Sequence, residues 1–515
     1  MSLLRFRNFL IAGTIVLLAS TAFLTLPQFM QALMVWAGVM LVAYFILPRK
    51  TYEKQISFLK GLRGRKSTSA HGSADFADSH DLKQADLLSQ AGYVLGRFNS
   101  KLLRFSKPGH LITFAPTRSG KGVGQVIPNL LDHPGSVVVN DIKGENYAVT
   151  ARYRSEFSKV IKFAPFADDS SSYNPMEFIR VGTEYELDDA SLIADMIIIV
   201  NEDAKDPFWE REAKNLVTCL ILHVATSSPP ALRTLGEMRY LLMQSRNDFD
   251  FTVKEMTKSK NKHVRKMAAA ISATEHKVLA SVMSMARSQT AVWDSPRLQA
   301  ITSKSDFDPA DIKKETISFY FIIPPEYLDV YKPVVRLMIG ILLTTMTRSK
   351  GKPEKPVLFL IDEFPALGYM RIVETGIGYL AGYGASLWMF IQDLSQLKAN
   401  YPKWESFIAN CSVRVAFGTN DFDTAKVLSE MLGTTTIRVE SGGHSKESGF
   451  NPMGKKNVSH NYSETARPLM TPDEVMRIPN DTQVVFVQGV KPILAEKIRY
   501  FADSEYKGKF DEWND

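Results

Sequence analysis

The sequence predicts an α/β domain with a mainly parallel sheet, split by an all-helical insertion and preceded by a hairpin of two apolar helices. Three observations carry this. Short β-branched and aromatic runs alternate with helical patterns through most of the chain, which is how strands buried on both faces of a parallel sheet read. The stretch from about Glu184 to Arg297 lacks such runs and reads as amphipathic helices instead. From Asn8 to Pro48 there is no charged side chain. A length of 515 residues exceeds one ordinary core, so two or three domains are expected.

The apolar window holds two segments, Phe9 to Leu26 and Phe29 to Leu47, separated by Pro27 and Gln28. At about 1.5 Å per helical residue each reaches roughly 27 to 29 Å, close to the hydrocarbon thickness of a bilayer. A cleaved signal peptide is the competing reading, with Ala19-Ser20-Thr21 as its small-residue site. The second span follows after two residues and leaves no room for an exported domain, which favours a membrane hairpin. Arg5 and Arg7 precede it, and Arg49, Lys50, Lys54, Lys60, Arg63, Arg65 and Lys66 follow it, so both ends and the remaining body are expected in the cytoplasm. These cations contribute to the net charge of +7, which is therefore weak evidence for nucleic acid. Cys219 and Cys411 stand alone, without partners at metal spacing, and fit buried thiols in a reducing compartment.

The expected domains are 1–50, the hairpin; 51–105, a juxtamembrane linker and lead-in; 106–183, the first part of the nucleotide-binding domain; 184–300, the helical insertion; and 301–515, the second part. Strands are expected at Leu111–Ala115, Ser136–Asn140, Val160–Phe163, Ile317–Ile323, Val357–Ile361, Ser386–Ile391, Val413–Gly418 and Gln483–Val487. In the insertion, helices are expected over Phe208–Ala225, Leu232–Met243 and Lys262–Arg287. Ser441 to Asn461 is rich in Gly, Ser, Asn and Lys and reads as a mobile surface loop.

The strand Leu111-Ile112-Thr113-Phe114 runs into Ala115-Pro116-Thr117-Arg118-Ser119-Gly120-Lys121-Gly122, and Val123 opens a helical pattern. Strand, tight loop and helix N-terminus in this order form a phosphate cradle, with Lys121 placed to reach the terminal phosphates of ATP. Two positions depart from the general motif. Ala115 replaces the first glycine, and Gly122 replaces the hydroxyl residue that would bind Mg²⁺. Pro128 is expected to kink or shorten the helix.

A second element completes the pattern. Val357-Leu358-Phe359-Leu360-Ile361 is an apolar strand that ends in Asp362 and Glu363. Asp362 is expected to hold Mg²⁺, directly or through water, and Glu363 to polarise the attacking water. The strand Ser386–Ile391 ends in Gln392, a candidate sensor of the γ-phosphate, with turn capping as its competing role. Asp141, Lys143 and Glu145 follow another strand and either reach the same sheet edge or form a charged surface turn.

These residues resemble the coupling proteins of type IV secretion and conjugative DNA transfer. The resemblance rests on Ala115 to Gly124 with Val126-Ile127-Pro128-Asn129-Leu130; on Asp141-Ile142-Lys143-Gly144-Glu145; on Tyr173-Asn174-Pro175 and Phe208-Trp209; on Leu360-Ile361-Asp362-Glu363-Phe364; and on Arg467-Pro468-Leu469 before Thr471-Pro472-Asp473-Glu474. It covers nearly the whole chain, and glycine after the phosphate-loop lysine is common in that family. It implies a RecA-like core and a homo-oligomeric, hexameric ring in a bacterial inner membrane, at the base of a type IV secretion channel. It also implies ATP and Mg²⁺ as ligands, and as cargo either a relaxase bound to single-stranded DNA or effector proteins. In such rings a neighbour's arginine can stabilise the transferring phosphate, and Arg414 is the candidate here, with a solvated or ion-paired strand residue as the alternative.

The sequence ends shortly after Lys509-Phe510-Asp511-Glu512-Trp513 without a long acidic or Gln-rich extension, so cargo recruitment is expected to use the helical insertion or an adaptor. Lys254, Lys258, Lys260, Lys262, Arg265 and Lys266 form a basic stretch there, suited to a phosphate backbone or to an ordinary solvated face. The leading reading is a DNA-transfer coupling ATPase. A protein-secreting ATPase and a non-catalytic nucleotide-binding scaffold are the alternatives.

Overall fold

The computed structural model describes residues 70–200, 206–445 and 457–513. The expected apolar hairpin lies outside the described residues. All eight expected strands form, because each is an apolar run long enough to cross a buried sheet. They are β3 (His110–Phe114), β4 (Val137–Asp141), β5 (Lys159–Phe163), β6 (Ile317–Ile322), β7 (Val357–Ile361), β8 (Ala385–Ile391), β9 (Cys411–Ala416) and β12 (Thr482–Val487). Three more, β1 (Tyr93–Phe98), β2 (Lys101–Phe105) and β13 (Ile493–Glu496), extend the same sheet.

The eleven strands lie in the order β2-β1-β13-β12-β9-β3-β8-β7-β4-β6-β5. From β9 to β5 every pairing is parallel. From β9 outward to β2 every pairing is antiparallel. This mixed, mostly parallel sheet puts the ends of β3, β8, β7 and β4 side by side on one edge, with β8 between the phosphate-loop strand and the carboxylate strand. All residues of β3, β4, β7 and β8 are buried.

Helices in chain order are α1 (Ser79–Gln84), α2 (Ile127–Asp132), α3 (Glu145–Ser155), then α4 (Glu186–Ile197), α5 (Phe208–Ser227), α6 (Leu235–Met243), α7 (Arg246–Met256), α8 (Lys262–Ala273), α9 (His276–Gln289) and α10 (Pro296–Ile301), followed by α11 (Leu328–Arg348). Between β5 and β6 the described residues contain no strand, and α4 to α10 occupy that interval. The single helix expected over Lys262–Arg287 is broken at Thr274 and Glu275, which adopt extended backbone. The run Ser272 to Lys277 has no large apolar side chain to bury, so packing does not enforce continuity there. Asn174 of the Tyr-Asn-Pro stretch donates to the Arg233 carbonyl at 2.8 Å and ties the exit from β5 to the insertion.

Among the described residues one helix, within Pro325–Arg348, is long and apolar enough to cross a membrane, and 72% of its most apolar window is buried inside the protein. It is the core helix α11, which connects β6 to β7. Its Arg336, itself buried, donates to the Met196 and Ile197 carbonyls at 3.3 and 3.1 Å and to the Leu367 carbonyl at 3.2 Å. One guanidinium therefore closes the C-terminus of α4, where carbonyls have no helical partner, and holds the turn that follows Glu363. Arg336→Met leaves three buried acceptors without this donor. It is expected to cost roughly 2–4 kcal/mol, read as a lower thermal midpoint, whereas an unchanged midpoint would show the bonds to be replaceable by water.

Thr434–Ser445 (β10) and Asn457–Pro468 (β11) pair as a separate two-stranded sheet, most of which falls in a smaller unit that includes Thr436–Thr465. Part of the expected surface loop is thus strand. The preceding β-branched run Thr434-Thr435-Thr436-Ile437 favours extended backbone and carries the strand into it.

Candidate active site

The phosphate loop is shaped by its backbone. Arg118 and Gly120 have φ of 61° and 87°, whereas Lys121 is right-handed helical. Alternating handedness of this kind turns successive amides toward one concavity. Gly120 is needed for its positive φ, since a Cβ there would meet nothing within 4 Å. Gly122 has ordinary φ and equally open surroundings, so the missing hydroxyl is a chemical departure and not a steric requirement.

After Lys121 the chain first makes a wide π turn, Gly122–Val126, before α2 begins. Pro128 has no amide hydrogen for the preceding turn, and the widened turn accommodates the loss. The next residue, Asn129, exchanges two 2.8 Å hydrogen bonds with the backbone of Val94, at the bulge of β1, and so fixes this helix against the sheet. Beneath the loop, buried Thr113 accepts from Trp388 at 2.9 Å and donates to Gln125 at 2.8 Å, while Gln125 reaches Gln483 at 3.3 Å. These bonds lock β8, β3, the loop helix and β12 together.

Lys121 Nζ lies 2.8 Å from Asp362 Oδ1 and also contacts Glu363 Oε1. The two motifs, some 240 residues apart in sequence, therefore meet. Glu363 has a left-handed backbone, φ 51°, which costs a non-glycine residue roughly 1–2 kcal/mol and is characteristic of functional sites. The strain is held by what surrounds the turn Phe364–Leu367. Phe364 stacks on Tyr401 at 5.3 Å, Asn400 donates to the Pro365 carbonyl at 3.1 Å, and Arg336 holds Leu367. Gln392 Nε2 donates to Glu363 Oε2 at 3.0 Å, while capping of the following helix falls to Asp393. Asn140 at the end of β4 donates to the Asp362 carbonyl at 2.9 Å, a role that its sequence context does not signal.

Burial pushes Asp362 above the usual carboxylate range, and the Lys121 ammonium opposes that rise. Burial would lower Lys121, but the attraction of Asp362 and Glu363 wins and holds it above the ordinary lysine value. Burial likewise lifts Asp141 to about 7, against the pull of its hydrogen bonds from the Tyr147, Asn146 and Gly144 side. Asp141 accepts from the Gly144 and Tyr147 amides at 3.0 and 2.8 Å, so it caps α3 at the same sheet edge and is no exposed turn residue.

Lys121, Asp362, Glu363 and Gln392 are thus brought together, with Ala115 to Val123 forming the loop beside them. Arg414 is not among them. It sits mid-strand opposite Ile112 and Phe486, and its guanidinium donates to the Cys411 carbonyl, toward the start of β9 and away from the edge that carries the loop. In the insertion, Lys254, Lys258, Lys260, Lys262, Arg265 and Lys266 are exposed around the turn from α7 to α8, and Phe251, one turn before Lys254, is 67% exposed.

A family model described as Type IV secretory system Conjugative DNA transfer matches residues 75–513. The chain is 31% identical over 510 residues to the conjugal transfer protein TraG of Escherichia coli, covering 88% of this chain and 80% of that one. It is 28% identical over 497 residues to VirD4 of Rhizobium radiobacter, covering 92% and 69%. Its fold matches the plasmid coupling protein TrwB, solved with ADP and Mg²⁺, with a TM-score of 0.65 at 15% identity over 87% of this chain and 98% of that one. The chain belongs to the type IV secretory system conjugative DNA-transfer family, the coupling proteins of that system.

Proposed function

We propose that this coupling protein is a RecA-like, ring-forming ATPase, held in the bacterial inner membrane by residues 8–48, that hydrolyses ATP to drive relaxase-bound single-stranded DNA into a type IV secretion channel. The observation that carries the enzymatic part is the junction of Lys121 with Asp362 and Glu363. A lysine on a phosphate cradle facing two carboxylates on the next strand but one is the arrangement that phosphoryl transfer to water requires. The TrwB structure in complex with ADP and Mg²⁺ supports the same ligands here.

The residues divide the work as follows. The amides of Ser119 to Val123 and the Lys121 ammonium bind the polyphosphate, which means that Lys121 exchanges its carboxylate partners for phosphate oxygens. Asp362, once released, is the anionic oxygen donor available to Mg²⁺, with water completing what Gly122 cannot supply. Mg²⁺ held there would supply charge neutralisation for the terminal phosphates. Glu363, held by Gln392 at 3.0 Å, orients and polarises the attacking water. Gln392 stands at the tip of β8 and holds Glu363, a place from which it can report to β8 whether the terminal phosphate is present.

The DNA part of the reading rests on the family and on the exposed cations of the α7–α8 turn. Phe251 beside Lys254 supplies the stacking surface that the sequence pattern alone does not reveal. Steady-state hydrolysis by the purified full chain tests it. Single-stranded DNA is expected to stimulate the rate, and the stimulation to fall steeply between about 50 and 200 mM salt. Hydrolysis indifferent to DNA at low salt would contradict DNA as the cargo.

A further inference from the structure

Because β12 runs against β9 and β13 against β12, the end of β13 returns to the edge where β3 and β9 end. The next residue, Lys497, is thereby carried to the phosphate loop. Its Nζ is 3.2 Å from the Ser119 carbonyl and 3.4 Å from the Phe417 carbonyl, and lies 4.0 Å from the centre of the Phe417 ring. The Lys497 amide is tied to the Asp481 carbonyl at 2.8 Å, which fixes the side chain's origin. Among the described residues no carboxylate pairs with this ammonium. A part-buried cation that makes no close ion pair among the described residues, touching a loop built for polyphosphate, requires an explanation.

We propose that Lys497 is a positioning residue for nucleotide binding, which holds the Ser119 carbonyl on the outer side of the loop and so turns the Gly120 amide inward to the phosphates. The inference rests on the nucleotide reading of that loop. In a trans peptide the carbonyl of one residue and the amide of the next point in opposite directions, and none of the described peptide bonds is cis. Fixing the Ser119 oxygen behind the loop therefore aims the Gly120 hydrogen at its front. The second contact, to Phe417 at the end of β9, anchors the loop to the neighbouring strand. The ammonium also adds positive charge behind the cradle, where its counter-ion is the bound phosphate.

Burial lowers Lys497 to about 8, against a pull upward from Asp481. A bound polyphosphate stabilises the protonated form and raises this value. Lys497 therefore contributes affinity fully below pH 8, and the contribution is lost as pH rises above it. The other charged groups facing Lys497 are Asp481 before β12 and Arg97, Glu496, Arg499 and Asp503, which line the same cavity. They remain in every variant, so comparison isolates Lys497.

The test is a titration of the detergent-solubilised full chain with a fluorescent ADP and Mg²⁺, followed by anisotropy from pH 7 to pH 9.5. The wild type is expected to lose several-fold in affinity across this range. Lys497→Met should bind about tenfold more weakly at pH 7, the loss of one charged hydrogen bond, and lack that step. Lys497→Arg keeps its charge throughout, so its affinity should stay flat. A Met variant within twofold of wild type and with the same pH profile overturns the role of Lys497, as does an Arg variant that keeps the wild-type step. Wild type that binds no nucleotide at any pH overturns the reading of the loop itself, and this inference with it.

Discussion

Lys121→Ala is expected to weaken nucleotide binding by at least about 100-fold, since the side chain is the main cation of the cradle and makes charge-assisted bonds to phosphate worth roughly 3 kcal/mol or more. A second effect separates this variant from ordinary loss of a ligand contact. Lys121 is the cation that touches both Asp362 and Glu363. Removing it leaves two adjacent carboxylates at a partly buried sheet edge, and Asp362, already raised by burial, rises further. A carboxyl whose folded pKa lies above its unfolded value loses stability as pH increases from about 4 through the folded value. Relative to wild type, the variant should therefore melt at a lower temperature at neutral pH, and the gap should close on acidification. Calorimetry at several pH values reads this directly, and a gap that widens toward acid would contradict the assignment.

Glu363→Gln is expected to reduce hydrolysis by about 10²–10⁴-fold, the range for loss of a positioned general base. Binding should survive. The amide cannot hold Lys121 by charge, so one competitor for the ammonium disappears and nucleotide affinity should stay equal or increase. Gln392 can still hydrogen-bond the new side chain, and the left-handed backbone is as demanding for Gln as for Glu, so the fold is unaffected. Rate and binding then separate in opposite directions, measured by phosphate release and by equilibrium titration. Loss of binding in step with rate would assign Glu363 to holding nucleotide instead of activating water.

The strands of the central sheet were legible in the sequence because each crosses a region buried on both faces and must be an apolar run. The antiparallel side was less legible. β1 carries Gly96 at a bulge and Arg97 at its end, and β2 mixes Lys101 and Arg104 with leucines, so neither shows a clean period. The phosphate loop and the pair Asp362-Glu363 were legible because each is a local motif whose chemistry demands adjacent residues. Their partners were not. Asn140, Arg336 and Lys497 act on backbone carbonyls that only the fold brings within reach, and an isolated polar residue carries no trace of such an acceptor in its neighbours. Gln392 lies between these cases. Its place at a strand tip was readable, and the choice between capping and contact with Glu363 depended on Asp393 taking the cap. For Arg414 the strand was readable, whereas the contact of its guanidinium with the Cys411 carbonyl was not.

If this site uses nucleotide hydrolysis to move DNA, conjugative transfer in cells that carry only the Glu363→Gln protein must fail. With the variant present at wild-type levels, transfer is expected to fall by several orders of magnitude, in line with the loss of hydrolysis. Transfer at the wild-type frequency would overturn hydrolysis as the driving step and leave the bound nucleotide with a role in assembly alone.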